Sequence, residues 1–147
     1  MINDFSEYVK EGIAKRITPD RERAKSLALE SERKMRSLHE HLEKIGVKDE
    51  NANDYVEYCY DIIMYLLRAK LYIDGYSSSG QGAHEAEVSY LAILGFSAAE
   101  VQFADQMRYF RNGILYYGTA LDSEYARKCI GFTLKMVGKL KLKMGAD

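Results

Sequence analysis

Apolar residues recur at intervals of three and four along nearly the whole chain, the spacing that gathers side chains on one face of an α-helix at 100° per residue. Ala24, Leu27, Ser31, Met35, Leu38, Leu42 and Ile45 keep this spacing, while Arg21, Glu30, Arg33, Lys34 and Glu40 fill the opposite arc. Together they predict a helix to Gly46 that opens with Thr18 as N-cap, Pro19 in the first turn and Asp20 near the positive end of the macrodipole. A short amphipathic segment from about Phe5 to Ile17 is expected to precede it and fold back on the bundle. Asn53 or Asp54 opens a further helix carrying Val56, Cys59, Ile62, Ile63, Leu66, Leu67 and Ile73 and closing at Gly75. This segment is apolar over most of its circumference, which predicts a central position. Ser77 to Gly82 reads as a loop, Ala83 to Leu94 as a short helix closed by Gly95, and Ser97 with Glu100 as a capping box for the next helix. Asp122 starts the last helix, with core marks at Tyr125, Ala126, Cys129, Phe132, Met136, Val137 and Leu140. No segment alternates with a period of two and no internal repeat is present. The expected fold is all-α: a single domain over residues 1–147, four main helices in an antiparallel up-and-down bundle, with short accessory helices.

The helix after Ser97 carries the most chemistry. Phe103, Met107, Phe110 and Ile114 gather on one side, and Asp105, Arg108, Asn112 and Tyr116 on the other, with Arg111 on the border. Val101 and Leu115 are apolar but fall on the polar side, so Val101, Asp105 and Leu115 are expected to meet a partner. Burying charge beside a core costs free energy unless the charge is paired or used. For Arg111 the purely structural alternative is a salt bridge, to Asp105 or to a glutamate of another helix.

At 147 residues, 47% of them hydrophobic and 29% charged, the chain is long enough to bury a real core. A formal net charge of -1 excludes a globally cationic nucleic-acid binder, so any such binding must come from a local site. Cys59 and Cys129 lie mid-helix with no Cys-x-x-Cys pair, and the polar start Met1-Ile-Asn-Asp-Phe-Ser has no secretory pattern. Two buried thiols in the reducing cytoplasm are expected. Ile62 to Leu67 is bounded by Asp61 and Arg68, too short an apolar run to cross a bilayer, so no membrane association is expected.

No metal and no cofactor is expected. No His is preceded at minus three by Glu, as a carboxylate-bridged di-metal bundle requires. His39 and His41 diverge by roughly 160° on a helix and cannot chelate one ion together. His84 and Glu87 have ligand spacing but no companions. The loop Ser77 to Gly82 feeds a helix N-terminus, which favours anions, but it lacks the Gly-Lys-Ser/Thr ending of a P-loop. Gln81 and His84 lie where an approaching anion would be met. Lys135, Lys139, Lys141 and Lys143 form a basic amphipathic end that reads first as a solvated face, and six tyrosines of the central segment suit either core or interface.

At Arg111-Asn112-Gly-Ile-Leu-Tyr116 the chain resembles the HEPN (higher eukaryote and prokaryote nucleotide-binding) family, whose signature is an arginine, a polar residue, a few variable positions and a histidine on a late helix. The order of parts agrees over most of residues 20 to 140. The resemblance implies a helical homodimer that is either a metal-independent endoribonuclease or the companion of a minimal nucleotidyltransferase in a toxin–antitoxin pair. By that resemblance Arg111 binds the scissile phosphate, Asn112 orients the group one turn later, and the twofold contact runs along the motif helix. The histidine position is Tyr116 here. A phenol titrating near pH 10 is a poor general base at neutral pH, so binding with weak or lost cleavage is the first expectation. Its cleft would be positively charged, formed by Arg108, Arg111, Asn112 and Tyr116. An inert interaction subunit and an active nuclease using His84 as its imidazole are the alternatives, and the distance of His84 from Arg111 and Tyr116 discriminates among them.

Overall fold

The computed structural model describes residues 2–144. Six helices dominate: α1 (Phe5–Lys10), α2 (Arg21–Lys44), α3 (Ala52–Asp74), α4 (Ala83–Ile93), α5 (Ala98–Tyr117) and α6 (Ser123–Met144), with a 3-10 turn at Asp49–Asn51. The main helices α2, α3, α5 and α6 run up, down, up and down. Ser31 meeting Ile62 and Lys34 meeting Asp61 set α2 antiparallel to α3. Glu100 meeting Lys139 and Phe110 meeting Tyr125 do the same for α5 and α6.

α3 is the centre of the bundle and packs against α2, α4, α5 and α6. Val56, Cys59, Ile62, Leu66 and Leu67 are at most 1% exposed, so the helix that is apolar most of the way round is also the one surrounded. One continuous core draws residues from every helix, from Phe5 and Tyr8 of α1 to Leu140 of α6. Cys59 and Cys129 are buried in it as free thiols, pushed up to about 11 and about 12 by burial. No helix among the described residues is long and apolar enough to cross a membrane.

The sequence reading needs three corrections. Asp20, not Thr18, caps α2, its carboxylate accepting the Arg23 N–H at 3.0 Å, and Pro19 stands before the helix. The segment expected as one amphipathic piece from Phe5 to Ile17 divides into α1 and a strand, β1 (Ala14–Arg16). β1 pairs antiparallel with β2 (Tyr76–Ser78), which takes the first part of the expected loop, in the register Ala14↔Ser78, Lys15↔Ser77, Arg16↔Tyr76. Three residues are too few to show a period of two, so pairing alone creates these strands. Gly75 closes α3 at φ 86°, and a Cβ there would stand 2.9 Å from the Ile17 carbonyl oxygen, so the close approach of β1 requires glycine.

The capping box of α5 is present and extended. Ser97 Oγ accepts the Glu100 N–H at 3.1 Å, Glu100 accepts the Ser97 N–H at 2.9 Å, and Lys139 of α6 donates to the same carboxylate at 2.6 Å. The Lys139 hydrogen bond and then the Ser97 N–H hold the Glu100 carboxyl down at about 2, against desolvation.

Two outcomes follow for stability. Leu66→Ala, in the centre of α3, should cost ~2–5 kcal/mol and lower Tm by more than about 5 °C in a thermal melt, whereas Leu142→Ala, 81% exposed, should stay within about 0.5 kcal/mol of wild type. Because the folded pKa of Glu100 lies below its ordinary 4.5, its contribution is complete above 4.5 and lost as pH falls towards about 2. Glu100→Gln should therefore flatten acid unfolding, followed by circular dichroism, across that window.

Candidate functional site

Five residues of α3, Tyr60, Asp61, Met64, Tyr65 and Arg68, form a ridge along one helix face and line a cavity of about 200 Å³ together with His84 of α4 and Arg111 of α5. His84 and Arg111 also line an outer cavity of about 450 Å³ with Gly80, Gln81, Gly82, Ala83, Glu85, Arg108, Asn112 and Tyr116. The two cavities form one cleft, narrowed where His84 and Arg111 stand. Every residue the sequence singled out for ligand contact, Gln81, His84, Arg108, Arg111, Asn112 and Tyr116, lines its outer half.

The outer wall is held by backbone pairing. Ser79 N–H donates to the Ile13 carbonyl at 3.2 Å, which extends the β1–β2 ladder into the loop. Gly82 then takes φ 88° to start α4, with no side chain capping that helix. A Cβ on Gly82 would sit 3.3 Å from Ile13 Cδ1, so the loop lies close against the N-terminal segment. Tyr8 of α1 reaches the same region, its hydroxyl donating to Glu85 at 3.4 Å.

Each of the three arginines has a carboxylate neighbour, but the pairings differ in kind. Arg68 is bidentate on buried Glu87, Nε at 2.6 Å and Nη2 at 2.9 Å. Arg108 donates through Nε to Asp105 at 2.8 Å and lies 3.7 Å from Glu85. Among the described residues Arg111 has only an ion pair with Asp61, at 3.8 Å, beyond hydrogen-bonding distance. Its side chain is 23% exposed, its Nε is buried without an acceptor, and its guanidinium carbon lies 5.4 Å from the centre of the Tyr60 ring. The Tyr60 hydroxyl is buried and unpartnered as well, and burial pushes it up, with Glu87 in the same direction and Arg111, Arg108 and Arg68 opposing. The expected positively charged cleft is therefore mixed in sign, with Asp61, Glu85, Glu87 and Asp105 interleaved among three arginines. The salt bridge expected for Arg111 goes neither to Asp105, which Arg108 engages three residues on, nor to a glutamate, but across the bundle to Asp61 of α3.

His84 is exposed to solvent as a whole residue, yet the cleft partly desolvates its imidazole, with the Tyr60 ring 6.4 Å away. Burial lowers its pKa first, Glu87 opposes, and Arg68, Arg111 and Arg108 lower it further, so the neutral form is favoured at neutral pH. Asn112 is half-buried in the outer wall, and Tyr116 stands at the rim, 75% exposed. Of the expected interface residues, Leu115 is 51% exposed, Asp105 holds Arg108, and Val101 is partly buried against the core beside Ile2 and Phe5 of the N-terminal segment. The second apolar surface at Val101 thus faces this chain's own N-terminal segment across a cavity of about 320 Å³. Among the described residues no group of three or more His, Cys, Asp or Glu converges as metal ligands, and His41 Nδ1 instead lies 2.8 Å from the Ser37 carbonyl.

Tyr60, Asp61 and Arg68 were not singled out from sequence. Asp61 and Arg68 served there only as the polar limits of an apolar run, yet two charges interrupting the most buried helix are themselves a signal of a polar pocket. No protein-family model, curated protein or solved structure matches this chain.

The His84 environment has a direct readout. Because its folded pKa is lowered, the unfolded chain takes up the proton first, so His84 destabilises the fold as pH drops below about 6.5. An NMR titration of the imidazole should give a midpoint below that of a histidine peptide, and Arg111→Ala should raise it. A midpoint at or above 6.5 in the wild type would refute the desolvated, arginine-flanked placement.

Proposed function

We propose that this protein is a HEPN-like helical bundle that binds the phosphate of a nucleotide or RNA in the cleft between α3, α4 and α5, with weak or lost cleavage. The observation that carries this reading is the state of Arg111: a guanidinium mostly withdrawn from solvent, with five N–H donors and no hydrogen bond to any acceptor among the described residues. Of these donors Nε is buried, and leaving one buried donor unmet costs roughly 1–3 kcal/mol, more for a charged group. A phosphate would supply two acceptors in the fork geometry a guanidinium prefers. The uncapped α4 N-terminus on the opposite wall favours the same negative charge.

The other residues then take distinct roles. Neutral His84 offers the bound anion one N–H, and Asn112 an amide from the α5 side. Tyr116 at the rim presents its ring for stacking on a base, at ~1–3 kcal/mol per base. Arg108, held by Asp105, is a steering charge more than a direct ligand. Tyr109, Leu115, Tyr116 and Tyr117 leave large apolar surfaces exposed along the end of α5, and we assign this patch to a second copy of the chain or to a nucleotidyltransferase partner.

The ribonuclease reading keeps one specific support. His84 shares the outer cavity with both Arg111 and Tyr116, so an imidazole from α4 stands near the anion site although the motif position holds tyrosine.

Binding of a single-stranded oligoribonucleotide, measured by fluorescence anisotropy, should weaken at least ~10-fold in Arg111→Ala. Unchanged binding would reject the cleft. Cleavage that appears only in Tyr116→His identifies a degenerate nuclease, and wild-type cleavage abolished by His84→Ala establishes the active alternative. Sedimentation should show a lower mass for Leu115→Glu than for wild type if that patch joins two copies.

A further inference from the structure

His84 and Arg111 line both cavities and stand between them, and the chemistry of the inner one is different. Arg68 is held there by Glu87 through Nε and Nη2, so its charge is already neutralised by a buried carboxylate. Asp61 is the reverse case. One carboxylate oxygen lies 3.8 Å from Arg111 and the other accepts a long hydrogen bond from Lys34 Nζ at 3.5 Å, so each keeps lone pairs for a further donor. A carboxylate accepts only. A second anion placed against Asp61 would be repelled, whereas a neutral group with N–H donors would satisfy it.

The cavity is lined mostly by polar groups, and Tyr60, Tyr65 and Met64 add two aromatic rings and a thioether to its walls. At about 200 Å³ the space falls short of the ~300–1,000 Å³ of a pocket that encloses a whole small-molecule ligand, so it takes one ring system and leaves a sugar and phosphate outside. Such an occupant is planar and uncharged, has N–H donors on one edge, and is attached to an anion that reaches Arg111.

Building on the phosphate site at Arg111, we propose that the ligand is a guanine nucleotide, its base in the inner cavity with the Watson–Crick edge on Asp61 and its phosphate in the outer cavity. Guanine presents two adjacent donors, N1–H and the N2 amino group, matched to the two oxygens of one carboxylate. Adenine and cytosine each offer one amino group with an acceptor beside it, and uracil a single N–H between two carbonyls that the carboxylate repels. Asp61 is thus the specificity-determining residue, and Arg111 secures affinity regardless of base. The same chemistry is presented by a free mononucleotide and by a guanosine within a strand.

Calorimetric titration of the full chain with 5′-GMP, 5′-IMP, 5′-UMP and inorganic phosphate separates the two layers. GMP should bind ~10–100-fold more tightly than UMP, the discrimination of one good bidentate base contact, with IMP in between because it lacks the N2 amino group. Asp61→Asn should bring GMP to the level of UMP while inorganic phosphate still binds, and thermal melting confirms that this variant is folded. The wild-type GMP, IMP and UMP series needs no variant. A uridine hexamer with one central guanosine, against the all-uridine hexamer, tests the strand-borne source. Equal affinity for GMP, IMP and UMP, with phosphate competing, would overturn the guanine assignment and leave the phosphate site standing. Failure of phosphate and every nucleotide to bind would remove the phosphate site and the guanine assignment with it.

Discussion

The burial of α3 on nearly all sides is the constraint from which the rest of the structure follows. Thirteen of its 23 residues are buried, so the helix has to be enclosed by neighbours wherever it is apolar. α2 and α6 supply most of that enclosure, with α4 and α5 covering the remaining arc. Polar groups on such a helix have few exits. Ser31 of α2 donates to the Ile62 carbonyl inside the α2–α3 seam, whereas Tyr60, Asp61 and Arg68 emerge together between α4 and α5. The cleft exists because a helix wrapped in core still carries side chains that need a polar environment.

Within that cleft the charges are ranked by how completely the protein satisfies them. Arg68 and buried Glu87 form a two-point pair whose role is structural, since removing either partner would strand the other charge. Arg108 has one good hydrogen bond and one distant carboxylate. Arg111 and Asp61 face each other at 3.8 Å, Asp61 accepts from Lys34 at 3.5 Å on its other oxygen, and the Tyr60 hydroxyl beside them has no partner among the described residues. A fold can tolerate such gaps where a ligand fills them. The ligand chemistry proposed above follows from this residual demand, an acceptor for Arg111 and a donor for Asp61, more than from net charge, which is close to balanced across the cleft.

The N-terminal segment gives the site its outer wall. By pairing β1 with β2 and bonding Ser79 to Ile13, it fixes the loop that leads into α4, and Tyr8 holds Glu85 from the same side. Ile2 and Phe5 meanwhile approach Val101 of α5. A segment with little helical signal of its own therefore braces both ends of the α4–α5 corner.

Local pattern was enough to determine the main helices, their order, the central place of α3 and the capping box at Ser97 and Glu100. Each of these rests on spacing within one helix or on contacts three or four residues apart, which a sequence carries directly. The strand pair, the cap at Asp20, the cover over Val101 and the partner of Arg111 were decided only in three dimensions. Ala14 and Ser78, or Asp61 and Arg111, are brought together by packing across dozens of residues, and nothing in the local chemistry of either member names the other. Periodicity shows which face of a helix is buried. Which charge waits on the opposing helix depends on how the whole bundle closes around α3.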